Sequence, residues 1–148
     1  MRGFELVTHL PVPVRAVFDA SLSIDAHLGS MRFSRERAIA GVTSGTIGLG
    51  ESVTWRAWHF GVPFTMTSVI SELEEPLRFV DQQLKGPFGS FRHEHLFVPA
   101  GGGTRMIDRI QLASPFAGAL AEPVLLVPYL RHLIRVRNRF LLRSLLAG

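Results

Sequence analysis

Hydrophobic and polar residues alternate with a period of two at residues 4–8 and over most of residues 36–112, as they do in half-buried β-strands. The run at residues 4–8 predicts one strand, and residues 13–18 and 23–28 then carry helical patterns that open at Pro13 and at the N-cap residue Ser23. The alternation then returns and predicts six further strands, at residues 36–40, 52–60, 64–72, 77–84, 90–98 and 104–112. Turns rich in Gly and Pro separate these strands at short spacing, so the sequence predicts an antiparallel meander.

A helical pattern fills the C-terminal part of the chain. It begins at Ser114 and Pro115, an N-cap followed by a proline suited to the first helical turn, and continues to Leu146, with breaks or kinks expected at Pro123 and Pro128. A sheet of this length must curl, and its apolar concave face needs a cover that only this helix is long enough to supply. We therefore predict an α+β fold with a curved antiparallel sheet of about seven strands, two short helices after the first strand, and a long C-terminal helix over a cavity.

The composition narrows the class of protein. The 148 residues are 47% hydrophobic and 19% charged, which suits a single domain over residues 1–148 with a filled core. The chain has no Cys, which excludes disulfides, zinc–cysteine sites, iron–sulfur clusters and thiol catalysis. Neither a signal peptide nor an apolar run of membrane-spanning length is evident, so we expect a cytoplasmic protein. The net charge of +4 comes from the end of the chain, because residues 131–148 hold five Arg and no acid.

Several short motifs accompany this order of elements. They are Leu10-Pro11-Val12-Pro13 before Val17-Phe18, the glycine-rich Gly41-Val42-Thr43-Ser44-Gly45 with Ile47-Gly48-Leu49-Gly50, Val53-Thr54-Trp55-Arg56-Ala57, Gly86-Pro87-Phe88 and His93-Glu94-His95. With these motifs the chain resembles, over almost its whole length, the helix-grip fold of the START and birch-pollen-allergen superfamily, often called SRPBCC. It is similar in particular to bacterial SRPBCC proteins labelled as polyketide cyclase/dehydrase-like or as cell-division proteins.

The resemblance implies a ligand site between the concave sheet and the last helix. It does not imply one activity, since the superfamily includes lipid carriers, hormone receptors, quinone-binding proteins, aromatases and cyclases. Which residues face the site must therefore be worked out from the directions of their side chains.

The last helix carries two kinds of arginine. Four of them share one solvated face at about 100° per residue and form what we call the arginine stripe, namely Arg131, Arg135, Arg139 and Arg143. Arg137 instead falls in the middle of the opposite, apolar arc. A buried guanidinium is costly unless it is paired, so Arg137 needs either a ligand anion or an ion pair with Asp81 or Asp108. The sequence leaves both alternatives open.

Alternation along the strands predicts the contents of the cavity. On the strand at residues 90–98 the odd positions carry aromatic rings and two histidines, so we take that face as the inner one. Tight turns containing glycine would place Asp81 opposite His93 and His95 opposite Asp108. The predicted walls are Trp55, Phe79, Phe91, Phe97, Ile134 and Phe140, and the predicted polar groups are His59, Asp81, His93, His95, Asp108 and Arg137.

The two Asp–His pairs allow three interpretations. They are hydrogen-bonded pairs that order a ligand or the core, acid/base groups that act on a substrate, or part of a metal site. We predict no metal and no cofactor, because His59 lies several strands away from His93 and His95 and a clear metal site needs three or four convergent ligands. The four residues of the two pairs are candidates for catalysis without a firm assignment, namely Asp81, His93, His95 and Asp108.

A few polar groups in an apolar cavity are typical of a small-molecule site. We therefore predict that the protein binds a hydrophobic or amphipathic molecule that is lipid-, quinone- or polyketide-like. The first alternative is a cyclase- or dehydratase-like enzyme that uses an Asp–His pair as general base. The second is a protein- or membrane-interaction module that uses the arginine stripe, as a monomer or a homodimer. We expect a transient membrane-surface contact at most and no nucleic-acid partner, because no broad basic surface is evident.

Overall fold

Seven antiparallel strands form one curved sheet in the computed structural model, which describes residues 2–113 and 126–147. They are β1 (Arg2–Leu10), β2 (Arg37–Gly41), β3 (Ser52–His59), β4 (Val62–Glu74), β5 (Arg78–Lys85), β6 (Ser90–Ala100) and β7 (Gly103–Ala113). Their order across the sheet is β1-β7-β6-β5-β4-β3-β2, so the strands from β2 to β7 follow one another and β1 lies beside β7. The predicted antiparallel meander from β2 to β7 and the predicted sheet of about seven strands are confirmed.

The hairpin between β3 and β4 is tighter than the sequence predicts. Phe60 and Gly61 both have positive φ, 55° and 73°, which is the backbone of a two-residue hairpin turn of the I′ kind. β4 therefore begins at Val62 rather than at residue 64, and Val62 pairs with His59 at the end of β3. The turn leaves Phe60 77% exposed.

Two short helices, α1 (Val14–Ser21) and α2 (Ile24–Ser30), connect β1 to β2. The hydroxyl of Ser23 accepts a hydrogen bond from the backbone N–H of Ala26 at 3.1 Å, so Ser23 caps α2 as predicted. Phe18 on α1 is fully buried and anchors the helices to the sheet. The helices cover one end of the concave face and leave the rest for the C-terminal helix.

The long helix α3 (Val127–Ala147) packs on the concave side of the sheet. The predicted helix start at Ser114 and the predicted break at Pro123 lie outside the described residues. Pro128 lies in the first turn of α3, where a backbone N–H has no helical partner to lose, and the helix continues past it without interruption.

None of the helices in the described ranges is both long and apolar enough to cross a membrane.

The main core lies where α1, α2 and the C-terminal half of α3 meet the sheet. Phe18 packs edge-on against Phe79 at 5.9 Å and Phe97 at 5.4 Å, measured between ring centroids. Leu141 of α3 is buried in the same cluster, and a smaller cluster lies around Phe91 near the other end of the sheet. Space remains between the two clusters, and this space is the cavity of the fold.

Candidate functional site

A cavity of about 400 Å³ lies between the concave face of the sheet and α3. β3 contributes alternate residues to its wall, because side chains on one face of a strand recur every second residue. α3 contributes Leu130, Leu133 and Ile134, which share the apolar side of the helix. The predicted residues that line the cavity are Trp55, His59, Phe79, Asp81, Phe91, His93, His95, Ile134 and Arg137.

Three predicted site residues lie outside the cavity wall. Phe97 is 1% exposed and belongs to the main core, and Asp108 is fully buried behind the histidines. Phe140 packs against α2, where a Cβ atom at Gly29 would lie 2.7 Å from its ring. The apolar arc of α3 is wider than the cavity, so residues at its far end contact α2 instead.

The predicted strand registers are correct. Asp81 pairs with His93 across β5 and β6, and His95 pairs with Asp108 across β6 and β7. The hydrogen bonds nevertheless join the other combinations, since Nε2 of His95 lies 2.6 Å from Oδ2 of Asp81 and Nε2 of His93 lies 2.8 Å from Oδ1 of Asp108. Sheet twist brings diagonal neighbours within reach of long side chains, so the nearest backbone partner is not the bonded one.

Both imidazole rings span the gap between the two carboxylates. The rings are stacked, with centroids 3.7 Å apart and planes inclined by 19°. The second nitrogen of His93 lies 4.0 Å from Asp81, and the second nitrogen of His95 lies 3.6 Å from Asp108. The two histidines thus form a double bridge from a fully buried carboxylate to one that is 22% exposed.

Arg137 is the counter-ion of the buried carboxylate. Its Nη2 donates a hydrogen bond to Oδ1 of Asp108, and its Nη1 lies 3.4 Å from Nδ1 of His95. Asn138 completes the arrangement by accepting two hydrogen bonds from Arg137 and donating to Asp108 at 2.9 Å and to Thr8 at 3.0 Å. Of the two alternatives for Arg137, the structure therefore has the internal ion pair with Asp108.

We call this set the inner cluster; it consists of Asp81, His93, His95, Asp108, Arg137 and Asn138. Sequence reasoning missed Asn138, whose one signal is its place at the edge of the apolar arc beside Arg137. Every buried polar side-chain atom of the described residues has a hydrogen-bond partner, as a buried polar network requires.

The inner cluster fixes its own charge states. Burial alone would raise the pKa of the Asp108 carboxyl, but the charge of Arg137 and the hydrogen bond from His93 hold it well below its usual range. Burial likewise works to raise the pKa of Asp81, and the hydrogen bond from His95 together with neighbouring charges lowers it on balance. For His95, burial and the neighbouring His93 lower the pKa to about 4. At neutral pH Asp81 and Asp108 are therefore carboxylates and His95 is neutral.

Asp81, His93 and His95 also offer ligand atoms that all lie within 4.8 Å of one another. An imidazole binds a metal along the lone pair in its ring plane, and two nearly parallel rings cannot direct their lone pairs at one ion. An ion midway between rings 3.7 Å apart would lie far out of both planes, given that Zn–N bonds are about 2.0–2.1 Å long. The stacked arrangement fits a hydrogen-bonded bridge better than a metal centre.

A second polar set faces the same cavity. Nδ1 of His59 lies 2.7 Å from the hydroxyl of Tyr129, and Nε2 of His27 lies 2.8 Å from Oε1 of Glu36. The His27 ring contacts Trp55, with centroids 4.4 Å apart. We call His27, Glu36, His59 and Tyr129 the outer cluster, and all four line the cavity.

Only His59 of the outer cluster was predicted. His27 lies on α2, Glu36 directly before β2 and Tyr129 on α3, and no local pattern connects them. Burial lowers the pKa of His59, an effect that the nearby charge of Glu36 partly offsets, and burial raises the pKa of Tyr129.

The arginine stripe lies mainly in solvent, as expected. Arg135, Arg139 and Arg143 are exposed, whereas Arg131 is half-buried and its guanidinium lies over the Phe4 ring at 5.1 Å.

No protein-family model and no curated protein matches this sequence, whereas solved structures match nearly all of it. TTHA0849 from Thermus thermophilus superposes with a TM-score of 0.81 at 16% identity, over 99% of this chain and 98% of that one. Ara h 8.0201 superposes with a TM-score of 0.75 at 14% identity, over 99% of both chains. The Zhui aromatase/cyclase from Streptomyces sp. R1128 superposes with a TM-score of 0.70 at 16% identity, over 99% of this chain and 98% of that one.

These superpositions establish a shared fold. At identities this low they do not establish a shared function, which must be argued from the chemistry of the site. The curved seven-stranded sheet, the two short helices after β1 and the long C-terminal helix are all present. The predicted resemblance to the SRPBCC superfamily is confirmed at the level of the fold, and the chain has the helix-grip architecture of the START and birch-pollen-allergen proteins.

Proposed function

We propose that the protein binds a hydrophobic or amphipathic small molecule between the sheet and α3. The observation that carries the proposal is an apolar cavity of about 400 Å³ whose wall contains a small number of convergent polar groups. That size and that mixture of surfaces are typical of ligand pockets. The fold shared with ligand-binding and cyclase proteins is consistent with this function.

The inner cluster sets the chemistry of the ligand's polar end. The charge of Arg137 is neutralised by Asp108, whereas Asp81 keeps a partly exposed carboxylate on the cavity surface. A ligand anion would face that carboxylate without a free cation nearby in the described part of the site. A neutral hydrogen-bond donor, such as a hydroxyl or an N–H group, suits it better.

Two fluorescent probes with one skeleton test this assignment. N-phenyl-1-naphthylamine is neutral, and anilinonaphthalene sulfonate carries one negative charge on the same rings. We expect the neutral probe to bind about tenfold more tightly, which corresponds to about 1.4 kcal/mol. Asp81→Asn should bring the two affinities together, whereas Asp19→Asn, an equal charge change on an exposed side chain, should leave them apart.

Filling the cavity tests whether binding occurs inside it. Ala57 lines the cavity, so Ala57→Trp should abolish probe binding, whereas Val7→Trp on an exposed part of β1 should not affect it. Ser68→Leu is a milder change at the same wall and serves if Ala57→Trp does not fold. Undiminished binding in a folded, filled variant would contradict the proposal.

The second candidate function is a cyclase-like enzyme, favoured by the Asp81–His95 pair at the cavity surface and by the shared fold of an aromatase/cyclase. A general base works best with a pKa near the operating pH, and the pKa values of both groups are lowered. This weakens the enzyme alternative relative to binding. Turnover of a polyketide-like substrate that disappears in Asp81→Asn would establish it.

The proposal includes a monomer or homodimer that makes at most a transient contact with membranes through the arginine stripe. Sedimentation with phosphatidylserine vesicles, compared between the wild type and an Arg135→Gln, Arg139→Gln variant, tests the contact. Analytical ultracentrifugation tests the oligomeric state.

A further inference from the structure

We propose that the natural ligand is elongated and carries a hydrogen-bonding group at each end, so that one end meets the inner cluster and the other meets the outer cluster. This inference rests on the proposed function, and it narrows the ligand from any amphipathic molecule to a two-ended one.

The two clusters are separated along α3. Tyr129 belongs to the outer cluster and Arg137 to the inner one, and their separation of eight positions corresponds to about 12 Å of helix. On the sheet, His59 pairs with Val62 at the start of β4, and Asp81 pairs with Ile70, eight positions further along the same strand. The His59–Tyr129 pair of the outer cluster and the inner cluster therefore lie toward opposite ends of the cavity, and the His27–Glu36 pair lies nearer its middle, beside Trp55.

The wall between the clusters is mostly apolar, although Ser68 of β4 also lies in it. It is formed by side chains from β3, β4, β6 and α3, among them Phe64, Met66, Phe91, Leu130 and Leu133. An amphipathic molecule with one polar end would satisfy one cluster and leave hydrocarbon against the other. A two-ended molecule matches the polar–apolar–polar sequence of the wall.

The outer cluster has the chemistry to bind a ligand group. The hydrogen bond between His59 and Tyr129 uses one ring nitrogen of His59, which leaves the other nitrogen and the remaining capacity of the phenol oxygen. Glu36 supplies a carboxylate with a 10% exposed side chain, paired with His27. The cluster can both donate to and accept from a hydroxyl or carbonyl group.

The rival interpretation is that these contacts only fasten α3 and α2 to the sheet. The two interpretations predict opposite changes in ligand affinity when a second hydroxyl is added to the ligand. If the outer cluster binds it, the affinity rises; if it does not, a hydroxyl is buried without a partner and the affinity falls by about tenfold or more.

Displacement of N-phenyl-1-naphthylamine by matched pairs of alcohols decides between them. Each pair consists of an alkanol and the α,ω-alkanediol of the same chain length, from octanol and octanediol to tetradecanol and tetradecanediol. We expect one or two lengths at which the diol binds at least tenfold more tightly than the alkanol. Diols that bind more weakly than their alkanols at every length would overturn the inference.

Variants locate the effect. Tyr129→Phe keeps the ring and removes the hydroxyl, and combined with His59→Leu it should abolish the preference for the diol over the alkanol of the same length. His9→Leu, a matched change at an exposed histidine, should keep the preference. Tyr129→Phe alone carries the test if the double variant does not fold. A preference that survives the folded variants would exclude the outer cluster.

The same data separate this inference from the proposed function. If neither class of alcohol nor the neutral probe binds, the proposed function fails. If alkanols and diols both bind and the diols gain nothing, the cavity binds apolar ligands and only the two-ended ligand is refuted.

Discussion

Replacing Arg137 with Met tests whether this arginine acts as an internal counter-ion. The change keeps an unbranched, flexible side chain that replaces the aliphatic part of the arginine, and it removes the guanidinium. Asp108 would remain fully buried, and it would keep its hydrogen bonds from His93 and Asn138 but lose its opposite charge. Removing one partner of a buried ion pair typically costs about 3–5 kcal/mol, because the other charge is left uncompensated.

The loss should be measurable, since domains of this size unfold with about 5–15 kcal/mol. Urea unfolding at pH 7, followed by far-ultraviolet circular dichroism and tryptophan fluorescence, gives the free energy of unfolding. Arg139→Met removes an exposed arginine two residues away and should change it by less than about 0.5 kcal/mol.

A double variant shows whether the loss of stability in Arg137→Met comes from the uncompensated charge of Asp108. Arg137→Met combined with Asp108→Asn removes the anion together with the cation, so it should be more stable than Arg137→Met alone by about 2 kcal/mol. If Arg137→Met costs less than about 1 kcal/mol, or if the second substitution restores nothing, Arg137 is not held by Asp108 and its charge is available to a ligand.

Three further outcomes are expected. Between pH 6.5 and about 4 the unfolded chain carries a proton at His95 that the native chain does not, so the free energy of unfolding should fall by roughly 3 kcal/mol as the pH is lowered across this interval. The free energy of unfolding, measured by urea titration at several pH values, should depend less steeply on pH in His95→Gln than in the wild type and should keep the wild-type dependence in His9→Gln. An undiminished dependence in His95→Gln would mean that other groups take up the protons. Gly103→Ala should cost about 1–3 kcal/mol, because a Cβ there would lie under 3 Å from the carbonyl oxygen of Leu10, and an unchanged melting temperature would refute that contact. Phe18→Ala should cost about 3–5 kcal/mol by calorimetry, and a value below about 1 kcal/mol would mean that the core closes around the gap.

The strand registers of the site could be predicted from the sequence because two local signals agree. Alternation assigns His93 and His95 to one face, and short turns then fix which residues of β5 and β7 lie opposite them. The hydrogen bonds could not be predicted in the same way. Sheet twist and side-chain rotamers decide whether a histidine forms its hydrogen bond straight across the sheet or diagonally. Neither can be deduced from the alternation of hydrophobic and polar residues.

The outer cluster illustrates a different limit. Glu36 precedes β2, His27 lies on α2 and Tyr129 lies on α3, so their meeting depends on how three elements pack. Helical periodicity placed Phe140 on the apolar side of α3 but could not show that α2, rather than the cavity, occupies that part of the arc. Periodicity gives the direction of a side chain, and packing decides what it meets.

The hydrogen bonds of Arg137 and Asn138 also give α3 a fixed point about which the helix can tilt. They fasten the helix to Asp108 of β7 and Thr8 of β1 at one level along its length. From there to Val127 the helix is an arm about 15 Å long, so a tilt of roughly ten degrees moves its far end by two to three ångströms. A bulkier ligand should therefore swing the arm outward at the Tyr129 end and leave the ion pair intact. We therefore expect the cavity to widen at the Tyr129 end, where the hydrogen bond between Tyr129 and His59 would break, and to keep its width at the Arg137 end.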